Sequence, residues 1–83
     1  MLSVDFQKGL DAYEKGAYAT ALREWQPLAE QGYATAQSSL GFMYDLVKGV
    51  PQDYEQAVKW YRLAAEQGYA PAQYNLCLLY TSD

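Results

Sequence analysis

Side chains able to do chemistry are sparse in this 83-residue sequence, which has one cysteine, Cys77, and no histidine. A cysteine nucleophile needs an activating base beside it, and the Ser–His and Cys–His pairings have no imidazole to use. A structural zinc site asks for a full set of Cys or His ligands, of which this chain offers one. Cys77 therefore reads as a small, buried apolar residue. Carboxylates can pair for acid–base work. Asp11 and Glu14 would share a helix face, and Asp53 and Glu55 would lie near a helix start. Both pairs read as solvated surface. Glu30 and Glu66 recur with an internal repeat, which points to a structural place at a turn. The six glycines are dispersed, so no phosphate-cradling loop is present. No catalytic residue, no metal ligand and no cofactor is expected.

The charge balance narrows the partners. The net charge is −4, and the six basic residues (Lys8, Lys15, Arg23, Lys48, Lys59, Arg62) are scattered rather than clustered. Phosphate backbones call for clustered Lys and Arg, so nucleic acid is excluded as an expected partner. Apolar residues make up 51% of the chain, with 9 Tyr and 2 Trp, too much for a disordered segment. No apolar run approaches the ~20 residues of a membrane span. The chain lacks a signal peptide's basic start and apolar core. As written it reads as cytoplasmic, and as periplasmic or secreted if a signal segment precedes it.

The elements come from an internal repeat. Ala29 to Tyr44, AEQGYATAQSSLGFMY, returns at Ala65 to Tyr80 as AEQGYAPAQYNLCLLY, an offset of 36 residues. A period of this size signals stacked units in a solenoid. Tyr18, Ala21, Leu22, Trp25, Leu28 and Ala29 fall three or four apart, as do Tyr54, Ala57, Val58, Tyr61, Ala64 and Ala65, which is helical periodicity. Gly32 and Gly68 follow these stripes, where the left-handed conformation closes a helix. Ala36, Leu40, Met43 and Tyr44 form the apolar side of the next helix. Each unit is thus an αα-hairpin, with alanines letting its two backbones approach and large rings filling the space between units. Phe6, Gly9, Leu10 and Tyr13 begin the chain as half a unit, joined to Tyr18 by a connection five residues shorter than that between Tyr44 and Tyr54.

The spacing predicts helices over about 4–15, 18–31, 34–46, 54–67 and 70–80. Leu46 to Gln52 is the linker between units. Asp53 is the expected N-cap, with Gln56 completing a capping box, and Glu55 and Lys59 form an i,i+4 pair. Pro27 should bend its helix or break a hydrogen bond near Arg23. Pro71 falls in a first turn, where proline is tolerated. The fold class is all-α: an α-α solenoid, a right-handed superhelix of helical hairpins with about five helices and two and a half repeats. One domain covers 1–83, divided as half repeat 4–17, repeat 18–53 and repeat 54–80.

These residues resemble the Sel-one-like repeat family, relatives of the tetratricopeptide repeats. Ala57, Trp60-Tyr61, Ala64 to Gly68, Ala70, Ala72-Gln73 and Leu76 carry the resemblance, with Ala29 to Gly32, Ala34, Ala36-Gln37, Leu40-Gly41, Tyr44, Gly49 and Asp53-Tyr54. The departures are Glu24-Trp25 against Trp60-Tyr61, and Cys77 where the earlier copy has Gly41. Cys77 to Asp83 can be encoded by TGT CTC TTA TAC ACA TCT GAC, which resembles the end of a transposon adaptor. The expectation is a natural gene that departs after Leu76 and encodes a longer repeat protein.

The resemblance implies a bacterial adaptor in signalling, envelope processes or host contact. The expected function is therefore a protein-interaction scaffold that takes a partner peptide or helix on its curved surface. Trp60 lies one step off the Ala57–Tyr61 stripe, so it packs between units or faces a groove. With Thr20, Arg23, Glu24, Gln56 and Lys59 it would line a surface that changes between repeats. The alternatives are a hydrolase-like or metal-handling relative, or a fragment that does not stand alone. An apolar face on the last helix, Leu76 and Leu79, lacks a polar cap and would favour end-to-end self-association.

Overall fold

A computed structural model describes residues 3–46 and 51–81, with the side chains of 3–5 and 81 excepted. Five helices run α1 (Ser3–Glu14), α2 (Tyr18–Glu30), α3 (Ala34–Leu46), α4 (Tyr54–Glu66) and α5 (Ala70–Thr81). Among the described residues there is no strand. Each helix packs mainly on its sequence neighbours, the pattern of a helical solenoid, and α3 with α4 is the most extensive pair. The linker residues 47–50 lie outside the described residues.

The turns follow from glycine. Gly16, Gly32 and Gly68 have φ of 81°, 100° and 86°. Behind each, the two bonds of a Schellman motif close the helix: Gly32 N donates to Ala29 O at 3.0 Å and Tyr33 N to Leu28 O at 3.1 Å. The same pair of bonds ends α1 and α4. The shortened first connection therefore adopts the tight turn used inside a unit. At the start of α4, Asp53 accepts from Gln56 N at 3.2 Å, as expected of an N-cap. The capping box is only half formed, because Asp53 N donates to the Tyr44 carbonyl instead. α2 continues through Pro27 to Glu30, although Arg23 has no i+4 amide to accept there.

Small residues sit where hairpin backbones meet: Ala21, Ala36, Ala57, Ala64 and Ala72 are wholly buried. Aromatic rings fill the space between units. Phe6 stacks on Trp25 with ring centroids 5.4 Å apart, and Trp25 Nε1 donates to the Phe6 carbonyl at 3.1 Å. Three sequence expectations shift. Tyr54 is 58% exposed while Trp60 is buried, so the buried stripe of α4 is rotated by a step toward Trp60. Cys77 is exposed, because it lies on the outer side of the last helix. Leu76 and Leu79 are half-buried against Ala57, Tyr61 and Ala64; the outer face of α5 instead presents Tyr74, Cys77 and Tyr80.

α3 is buried around most of its circumference, since α2 and α4 flank it. Gln37 and Ser38, polar residues with no place in the apolar stripe, are both buried there. Gln37 is satisfied: its Nε2 donates to the Ala29 carbonyl at 3.1 Å.

Candidate functional site

The helices leave a cleft of about 320 Å³ running across α1, α3 and α5. Leu10 and Tyr13 reach it from α1, Trp25 from α2, Ser38, Ser39 and Phe42 from α3, and Tyr69 and Asn75 from the last hairpin. Its rings hold one another in place. Tyr13 lies 6.1 Å from Trp25 and 6.3 Å from Phe42 between centroids, and 5.3 Å from Tyr18. Trp25 is seated over Gly9, where an added Cβ would come within 2.2 Å of the indole nitrogen. No charged side chain lines this cleft. Its polar groups are hydroxyls and one amide; Ser39 Oγ donates to the Thr35 carbonyl at 2.9 Å. A cleft of this size, largely apolar with a few polar groups, suits an uncharged segment of a ligand.

The residues singled out from the sequence fall elsewhere and do not form one patch. Thr20 and Glu24 border a shallow cleft between α1 and α2, beside Lys8, Asp11 and Lys15. Arg23 faces a separate depression with Leu22 and Pro27, and its Nη2 donates to Thr20 Oγ1 at 3.4 Å. On α4, Gln56 is half-buried and spends its backbone amide on the Asp53 cap. Lys59 is exposed, with its ammonium 4.5 Å from the Trp60 ring centroid. Trp60 is 4% exposed and belongs to the core with Ala36, Leu40 and Met43. Its Nε1 has no hydrogen-bond partner, nor has the buried hydroxyl of Tyr61.

Sequence reasoning missed Ser38, Ser39, Phe42 and Asn75. The signal was present: Ser38-Ser39 becomes Tyr74-Asn75 and Phe42 becomes Leu78 between copies, while the flanking Ala-Gln and Leu persist. Variation between repeats marks positions the fold does not require. That rule had been applied to the first helix of each unit and not to the second.

Electrostatics adds one feature away from the cleft. Burial pushes the Tyr61 phenol above its ordinary range, and the nearby Asp45 charge pushes the same way. Burial also raises the Asp45 carboxyl. No group of three or more His, Cys, Asp or Glu gathers among the described residues, and no observation favours the hydrolytic or metal-handling alternative. No described helix is long and apolar enough to cross a membrane.

Stacked antiparallel helices with a solvent-facing cleft across alternate members define a helical-repeat protein. The family model for the Sel1 repeat matches residues 34–69 and 70–82, more than half of the sequence. The chain belongs to the Sel1 repeat family. Repeats of this family are generally protein-interaction modules, a non-enzymatic scaffold type. The matched frame starts at α3, so it pairs α3 with α4 instead of α2 with α3. No curated protein matches the chain significantly.

Proposed function

We propose that this protein is an interaction scaffold that holds an extended, uncharged peptide segment of a partner in the cleft across α1, α3 and α5. The observation that carries this reading is the convergence of four rings, Tyr13, Trp25, Phe42 and Tyr69, from successive units on a cleft without charge. Aromatic walls supply large contact area at low conformational cost, and grooves in helical repeats receive peptides along their length. The exposed or half-exposed polar residues Thr20, Arg23, Glu24, Gln56 and Lys59 would serve as contacts outside the cleft, with Trp60 supporting Lys59 from below. On this reading residues 1–83 work as one domain.

The test is a peptide-display selection on the intact chain, counter-selected with Ser39→Arg. Ser39 is half-exposed, so an arginine there places bulk and charge in the cleft without entering the core. Selected peptides are expected to be rich in apolar and aromatic residues and to bind at least about tenfold more weakly to the variant, the loss of one buried contact. Peptides that bind both proteins equally would overturn the reading.

A further inference from the structure

Glutamine amides close one end of the interface between α3 and α4. Gln67 Nε2 donates to the Gly32 carbonyl at 2.8 Å and to Gln37 Oε1 at 3.0 Å. Gln37 is held ready by its own bond to Ala29 O. One repeat further on, the receiving half of this clasp is built again: Gln73 Nε2 donates to the Ala65 carbonyl at 3.1 Å. Among the described residues nothing donates to Gln73 Oε1 or to the Gly68 carbonyl. Gln37 is 4% exposed beneath α4, whereas Gln73 is exposed. The neighbouring positions change in the same direction, from Ser38 at 8% exposed to Tyr74 at 66%.

The outer face of α5 departs from α3 at one point. Gly41 leaves a socket for Tyr61, and a Cβ there would stand 2.7 Å from the ring. The matching residue on α5 is Cys77, whose side chain occupies the socket. A helix carrying a tyrosine at that place cannot approach α5 as closely as α4 approaches α3.

We propose that the outer face of α5 docks a helix of a partner protein, amphipathic like α4 and ending in Gln-Gly. Its glutamine amide reaches the Gly68 carbonyl and Gln73 Oε1, and it carries alanine or glycine over Cys77. The interface already formed between α3 and α4 supplies the geometry, and Cys77 sets the size limit. α5 has no charged residue, so the fit depends on shape and on the amide clasp. This site is separate from the cleft, and the inference does not rest on the function proposed for it.

The test titrates the isotope-labelled intact chain, under reducing conditions, with a synthetic hairpin of residues 51–81 bearing Tyr61→Ala. A stapled single helix of residues 53–69 with the same change serves as a second probe, so the result does not depend on the hairpin folding alone. Saturable shifts are expected at the Gln73 side-chain amide and along α5. Gln67→Ala in the probe should weaken binding about tenfold, as should restoring Tyr61. On a Cys77→Gly chain the preference should reverse, the Tyr61 probe binding better. Four results would overturn the proposal: no saturable shift with either probe at about 1 mM, where even weak sites register; indifference to Gln67→Ala; shifts confined to the α1–α3–α5 cleft; or the same shifts produced by raising the concentration of the chain alone, which would put a second copy on this face.

Discussion

Tyr61 shows how one atom can cost stability inside an otherwise well-packed interface. Its ring is fully buried, and its hydroxyl has no hydrogen-bond partner. Desolvating a hydroxyl without a partner costs about 1–3 kcal/mol. Tyr61→Phe keeps the ring and removes the orphan, so it should raise stability by about 1 kcal/mol in a urea melt at neutral pH. The folded chain holds the Tyr61 proton above the ordinary phenol range, through burial and then the Asp45 charge. The unfolded chain releases that proton near its ordinary value of 10.0. The unfolded state therefore binds fewer protons above that pH, and folding stability falls as pH rises further. Tyr61→Phe should lose this part of the alkaline slope, and melts at a series of pH values would check it. The Trp60 indole nitrogen is orphaned in the same way, but its ring carries core contacts that no smaller residue would keep. Little of this was legible in the sequence. The aromatic stripe predicted that Tyr61 faces inward, but whether a buried hydroxyl finds a partner depends on the backbone of a different helix.

At the scale of elements, the units are keyed together by glycine under a ring. Gly9 lies under Trp25 and Gly41 under Tyr61, each joining the second helix of one unit to the first helix of the next. Gly41→Ala would drive a methyl group to 2.7 Å from the Tyr61 ring, with the surrounding core already filled. Overpacking of this kind costs about 1–3 kcal/mol. The expected outcome is a lower urea midpoint with an unchanged slope, since the fold persists while its fit worsens. The expected hairpins, their tight turns and nearly all helix bounds agree with the structure, because a 3.6-residue period and a glycine past each stripe are local signals. The rotation of α4 that buries Trp60 and exposes Tyr54 was not local. It is set by where α3 presents Gly41, which a single helix cannot report. The cleft escaped notice for a related reason: its walls come from α1, α3 and α5, helices that are neighbours in space and not in order.

For the whole molecule, the interfaces are unequal. α3 and α4 share the largest one, closed by the Gln67 amide, while α5 has α4 alone against it as a principal partner. In a linear array stability is close to a sum of neighbour terms, so local opening should follow this order. Amide hydrogen exchange is expected to be slowest in α3 and α4 and fastest in α5. Equal protection across all five helices would mean that the array opens only as one body.

Because each helix packs mainly on those beside it in sequence, a nascent chain leaving a ribosome has no distant segment to wait for. α1 and α2 can close as soon as Gly16 and the turn after it have emerged, and each later helix adds to a surface already made. Short-range pairing of this kind favours fast assembly, and it leaves only the most recently synthesised helix searching for its neighbour at any moment.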